Sequence, residues 1–249
     1  MVDTHCHIYN QYYDDIPDLI DKIKLSGVNK IIVNGCDMAS NLEVLALVKK
    51  YDIVYGAIGF HPTVKLDNLD EAIMFLKKHI NDDKIVAIGE IGLDYHYEDT
   101  DKEKQKNLFK RQLDLASDFN KPVIIHSRDA IQDTYDLLSK YKLKGSIHAY
   151  SGSKEMAKEF IKLGFLIGVG GVCTYKNAKN IIEVIDMLDL SYILLETDSP
   201  YLSPVPFRGK VNTPCNIPII AKKIGEIKGI SSEDVASSTS NNAEQLFDF

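Results

Sequence analysis

Short apolar runs rich in β-branched residues recur at residues 1–8, 30–35, 53–60, 85–91, 122–127, 145–149, 165–170 and 192–198, and predict eight strands. Between them the period changes. In "IPDLIDKIKLSG", "NLEVLALVKKY", "NLDEAIMFLKKHI" and "KNLFKRQLDLASDFN" apolar positions recur at three and four, with Gly or Asn near the ends, as amphipathic helices require. Parallel strands need crossovers, and eight right-handed crossovers curl a sheet until it closes. The pattern therefore predicts an α/β fold of the (β/α)8 TIM-barrel class, a single domain over residues 1–249, with a doubly wound open sheet as the alternative.

Two connections break the rhythm. "CTYKNAKNIIEVIDML" follows the seventh strand, and a Pro-rich loop, "SPYLSPVPFRGKVNTPCNIP", follows the eighth and precedes two terminal helices. Long irregular loops on one face usually carry function.

Composition narrows the picture only a little. With 45% hydrophobic and 26% charged residues the 249-residue chain can bury a large core. Its 29 basic and 36 acidic side chains give a net charge of −7, so a polyanion must be held locally and not by a basic surface. Cys6, Cys36, Cys173 and Cys215 form no CxxC pair and follow no secretory leader, which predicts reduced thiols and a cytoplasmic location. No apolar run reaches the roughly 18 residues that a membrane span needs, so no membrane partner is expected.

The chemistry gathers at strand ends. In "MVDTHCH" the side chains of His5 and His7 share a face, while Thr4, Cys6 and Ile8 point the other way and pack Cys6 against helices. Strand four ends in Glu90, strand five in His126, strand six in His148 and strand eight in Asp198. In a barrel these positions form the functional C-terminal rim. A lone strand histidine is commonly a hydrogen-bonded core residue. Four imidazoles and two carboxylates converging from five strands instead form a donor set for borderline divalent cations.

Other polar residues are placed by the same phase. His61 in "GFHP" is either a loop residue or a rim contact for phosphate or leaving group, and Arg128 either binds phosphate or pairs with Asp129 or Glu90. Glu196 lies one layer below Asp198 and is expected to orient Asp198, an inner arginine or a water. His79 reads as a helix-end residue, and His96 does not match the strand-end phase. Tyr95, Tyr150 and Tyr201 follow strands and could either stack on a base or pack the loops.

Together "DTHCH", "GFHP", "AIGEIGLDY", "PVIIHSRDA", "HAYSG", "LLETDSPYLSP", "FRGKVNTP" and "SSTSNNAEQLF" resemble the TatD family of metal-dependent deoxyribonucleases, in unbroken order from Asp3 to Phe247. The resemblance implies a two-metal hydrolase, one cation held by His5, His7 and Asp198, a second by His126 and His148, with Glu90 bridging. The cations would be Mg2+, Mn2+ or Zn2+. A glutamate at the end of strand four, where related amidohydrolase barrels often carry a modified lysine, favours this family over those.

The expected activity is hydrolysis of DNA phosphodiesters by a monomeric exonuclease acting on single strands or frayed ends. Asp198 and Glu90 would manage the attacking water, while His61 and Arg128 would contact phosphate. Two other functions fit the same residues. One is a hydrolase of carboxylic ester or amide bonds, such as a D-aminoacyl-tRNA deacylase, since a metal pair polarises a carbonyl as well as a phosphoryl group. The other is a catalytically idle barrel that only binds, against which the intact donor set argues.

Overall fold

A computed structural model describes residues 1–249. Eight parallel strands follow one another in chain order: β1 (Val2–Cys6), β2 (Lys30–Asn34), β3 (Val54–Ile58), β4 (Ile85–Asp94), β5 (Val123–Arg128), β6 (Gly145–Ile147), β7 (Phe165–Val169) and β8 (Ile193–Leu195). The ring closes through the segments just beyond β1 and β8. The N–H of Asp198 donates to the His5 carbonyl at 2.8 Å, and the N–H of His7 donates to the Ser199 carbonyl at 2.7 Å. This is the TIM barrel that the pattern predicts, and the open-sheet alternative falls away.

Helices α1 (Ile16–Leu25), α2 (Met38–Lys50), α3 (Leu69–His79), α4 (Lys102–Asp118), α5 (Ile131–Leu138), α6 (Lys154–Lys162) and α7 (Lys179–Met187) cross between successive strands, and α8 (Ile217–Lys228) and α9 (Ser232–Phe247) end the chain. Their starts are chemically marked. Asp15, Asn68, Asp101, Ser153 and Ser231 each accept a bond from a first-turn N–H, and Asp37 forms a reciprocal capping box with Ser40. Each such cap is worth about 1 kcal/mol.

The main apolar core lies between strands and helices, where Phe60, Phe109, Phe160 and Phe165 are fully buried. Burying one such ring contributes about 1.5–3 kcal/mol. A second cluster joins Ile32, Ala57, Ile124 and Leu194 to Ala243 and Phe247 of α9. Ile124 lies two residues before His126 and Leu194 four before Asp198, so this cluster fills the barrel below the polar rim. Cys6 sits in the main core, as the alternation predicts.

Strand limits differ from the sequence expectation where function concentrates. β4 continues three residues past Ile91 because its pairing with β5 shifts register between Ile88 and Ile91 and then runs on to Asp94 opposite Arg128. β6 stops at Ile147 and β8 at Leu195, so His148 and Asp198 stand just beyond strand ends. No helix is long and apolar enough to cross a membrane.

Candidate metal centre

All six predicted donors meet at the C-terminal mouth of the barrel. Glu90 stands at their middle and divides them. Its Oε2 lies 3.4 Å from His5 Nε2 and 3.5 Å from His7 Nε2, while its Oε1 lies 2.8 Å from His126 Nδ1 and 3.0 Å from His148 Nε2. Asp198 Oδ1 completes the first side, 3.7 Å from His5 Nε2 and 3.5 Å from His7 Nε2. The two sides touch where the His5 and His148 rings stack at 3.9 Å.

Supporting bonds choose which nitrogen His7 and His126 present. His7 Nδ1 bonds the Asn34 carbonyl at 2.9 Å, which turns Nε2 to the centre. His126 is reversed: Nε2–H donates to Asp94 Oδ2 at 3.0 Å and Nδ1 faces Glu90. Asp94 is itself pinned, since its N–H donates to Gln105 Oε1 at 2.8 Å and Gln105 Nε2 donates to its carbonyl at 2.9 Å. Gly92 permits this approach. Its φ of 148° is a left-handed value, and a Cβ there would lie 1.9 Å from the His126 carbonyl oxygen.

Glu196 is fully buried, as the phase argument requires, but its partners differ from those expected. It accepts the Ala149 N–H and lies 3.8 Å from His148 Nδ1, so it backs His148 and not Asp198. Its carboxylate occupies the space where Gly168 lacks a side chain; a Cβ there would lie 2.3 Å from Glu196 Oε2. Asp3, fully buried, accepts bonds from the N–H and hydroxyl of Thr197 and braces the loop that carries Asp198.

The electrostatics favour a cation. Burial alone would keep His7, His126 and His148 neutral, yet the facing carboxylates, joined at His7 by the Cys36 thiol, draw protons on to all three rings and push His126 up to about 9. Against its burial, the surrounding histidines hold the Glu90 carboxyl well below the usual range and keep Asp198 low as well. His5, fully buried beside His148, is lowered to about 4 and stays neutral. Buried Nδ1 atoms of His5 and His148 have no hydrogen-bond partner. Imidazole nitrogens that give up their protons to a metal and ionised carboxylate oxygens, aimed at a common centre, are what divalent metals take, and the residues fit them.

The remaining candidates separate. His61 joins the centre, with Nε2 3.6 Å from Glu90 Oε1 and its ring 4.4 Å from that of His126. Arg128 is exposed at the end of β5 and makes no ion pair, with Asp129, Glu90 or any other carboxylate. His79 ends α3 and pairs with Asp82 at 2.6 Å, and His96 pairs with Asp129 at 3.1 Å, both outside the centre. Tyr150 and Tyr95 pack the loops, their hydroxyls donating to the Ser153 carbonyl and to Asp133. Tyr201 alone of the three borders the centre, its ring 6.3 Å from that of His7.

Two neighbours escaped sequence reading. Asp94 follows Glu90 by four residues, a same-face spacing in a strand, and was hidden only by the short limit assigned to β4. Cys36 lies on the loop after β2, its Sγ 3.6 Å from Glu90 Oε2, and nothing in the sequence marks it.

An eight-stranded parallel barrel with imidazoles and carboxylates gathered at its C-terminal mouth defines the metal-dependent hydrolase barrels as the class. Within it the chain belongs to the TatD family, since residues 2–248 match the family model described as TatD related DNase. It is 39% identical to the uncharacterized metal-dependent hydrolase YabD of Bacillus subtilis, covering 99% of this chain and 98% of that protein. It is 37% identical to the uncharacterized metal-dependent hydrolase MJ1582 of Methanocaldococcus jannaschii, covering 99% and 96%. The crystal structure of YjjV, a TatD homolog from Escherichia coli, superposes with a TM-score of 0.95 at 33% identity, over 100% of this chain and 98% of that one.

Proposed function

We propose that this metal-dependent hydrolase cleaves phosphodiester bonds of single-stranded DNA with two divalent cations. The observation that carries this reading is the division of Glu90, whose two oxygens face two separate pairs of histidines. His5, His7 and Asp198 would hold one cation, His126 and His148 the other, and Glu90 both. Bound there, the cations supply Lewis acidity that acidifies water and offsets charge on phosphate oxygens.

The chain's own groups do the rest. Asp198 is ionised and, among the donors around Glu90 Oε2, the most open to solvent, so it can take the proton of a water attacking phosphorus. His61 is lowered to about 4 by burial and stays neutral. The Thr63 N–H donates to its Nδ1 at 3.3 Å, which leaves the ring proton on Nε2, facing the centre, to donate to a phosphate oxygen. Arg128 adds an unpaired guanidinium at the rim.

The test is a substrate panel run with metal analysis. Purified protein should hold close to two divalent ions per chain, cleave single-stranded DNA, and leave a D-aminoacyl-tRNA and simple cyclic amides intact. Asp198→Asn should lower kcat at least ~100-fold, the lower end of what a positioned base contributes, with little change in DNA binding. Hydrolysis of the tRNA ester with DNA untouched would make the chain a deacylase instead.

A further inference from the structure

The loop after β8 exposes apolar surface that the fold does not need to expose. Of the twelve large hydrophobic side chains exposed in the chain, five lie between positions 201 and 211: Tyr201, Leu202, Val205, Phe207 and Val211, at 38 to 60%. The loop is not loose. Asn212 Nδ2 donates to the carbonyls of Thr197 and Tyr201, the Tyr13 hydroxyl to that of Asn212, the Tyr175 hydroxyl to that of Ser203, and the Val205 N–H to Thr174 Oγ1. An anchored loop that still shows this much apolar area presents a surface for a partner.

Its charge says which partner. From Tyr201 to Val211 there is no acidic residue, yet Arg208 and Lys210 lie there in a chain of net charge −7. The chain has three arginines. Arg111, on α4, pairs with Asp70 at 2.8 Å, whereas Arg128 and Arg208, on the C-terminal side of β5 and β8, pair with no carboxylate. Arg208 instead lies over the Tyr175 ring, its Cζ 4.4 Å from the ring centre. The loop is also continuous with the metal centre, for Tyr201 touches Tyr12 through a 2.8 Å hydroxyl pair and approaches His7.

We propose that this loop is a platform for single-stranded nucleic acid, on which unpaired bases stack against Tyr201 and Phe207 while Arg208 and Lys210 hold the phosphates between them. Aromatic faces and cations on one loop suit the bases and the phosphates of a strand, and stacking accepts any base. The platform rests on the phosphodiester reading for its place beside the centre. It adds where the strand lies beyond the scissile bond and why a single strand, with bases free to stack, is favoured over a duplex.

The chain contains no tryptophan, so Phe207→Trp installs a single fluorescent reporter. With the metal-loaded variant, a phosphorothioate oligothymidylate of ten residues should quench the indole, and a duplex of the same sequence should quench it far less. Arg208→Ala combined with Lys210→Ala should weaken oligonucleotide binding about tenfold or more at moderate salt. It should also lower the slope of log affinity against log salt by about 1.4, from ~0.7 per phosphate contact on a single strand. The double variant should lose at least five times more kcat/KM on the ten-mer than on bis(p-nitrophenyl) phosphate, a diester with no base. DNA cleavage without quenching and with an unchanged salt slope would remove the platform and keep the nuclease; quenching without cleavage of either diester would do the reverse. Self-association that Phe207→Ala abolishes, with no effect on the oligonucleotide, would give the face to a second copy of the chain and overturn the proposal.

Discussion

Asp94→Asn should separate the two halves of the candidate metal centre without disturbing the fold. Asparagine keeps the shape and the backbone clamp from Gln105, but it removes the charge behind His126 and leaves one acceptor oxygen where Asp94 uses two, one for the His96 N–H and one for His126. A hydrogen bond to a charged group contributes about 1.5–3 kcal/mol. Partners behind a metal-bound histidine typically change affinity 10- to 100-fold, about 1.4–2.8 kcal/mol. Because the single amide oxygen can still turn to the Nε2–H as a neutral acceptor, at the expense of the His96 N–H, the loss for Asp94→Asn should be about tenfold and that for Asp94→Ala closer to 100-fold.

The same carboxylate also strengthens the proton that competes for His126. Burial opposes that proton, but Asp94 and Glu90 together hold the ring up at about 9, so near pH 7 it must lose a proton before it can ligate. Removing Asp94 weakens both competitors, and the net loss of metal affinity should grow as pH rises from 6.5 toward 8.5. Titrating Mn2+ calorimetrically into chelator-treated protein should resolve two sites, only the one containing His126 and His148 being weakened. Equal weakening of both sites, or none at either pH, would refute the assignment of Asp94 to His126 and of His126 to one side of Glu90.

Two further outcomes are expected. Glu90→Ala should abolish turnover more completely than His7→Ala and bring metal content below that of His7→Ala by elemental analysis; near-normal rates with two ions bound would show that Glu90 is not shared. Burial holds the Glu196 carboxyl up at about 8 despite the pull of His148, so the folded chain keeps a proton there that the unfolded chain releases above about 4.5. Its contribution to stability is complete below that value and is lost as pH rises through 8. Urea unfolding of metal-free protein should therefore show a larger loss between pH 5 and 8 for the natural chain than for Glu196→Gln, and identical losses would mean that Glu196 is ionised throughout.

The barrel was legible in the sequence because both of its periods are clean: eight β-branched runs, separated by seven helices of which five start on an Asp, Asn or Ser cap. The six donors were legible for a related reason, since each stands at the end of such a run and alternation puts His5 with His7. What stayed hidden depended on contacts between distant segments. Asp94 lay beyond the limit assigned to β4 because only pairing with β5 extends that strand. The partner of Glu196 could not be read, because choosing His148 over Asp198 depends on the space left by Gly168, a residue of the neighbouring strand. Cys36 reaches Glu90 from a loop with no periodicity at all.

Strand phase alone does not bring these candidate donors together, because three of the six, His7, His148 and Asp198, stand beyond the ends of β1, β6 and β8. At the exits of β6 and β8 the backbone takes left-handed values at non-glycine residues, φ 43° at Ala149 and 52° at Asp198. Each costs of order 1 kcal/mol or more and persists only where the surroundings fix it. At Ala149 the fixing bond comes from Glu196, the residue that also backs His148. At Asp198 it comes from both sides: its N–H donates to the carbonyl of His5, and its own carbonyl accepts from Tyr201 at 2.8 Å. The bonds that close the barrel between β1 and β8 are therefore the ones that aim Asp198 at His5 and His7. Closure and site geometry are one set of hydrogen bonds, so a substitution that loosens the β1–β8 seam, such as loss of the Asp3 bonds to Thr197, reaches the donors around Glu90 Oε2 first.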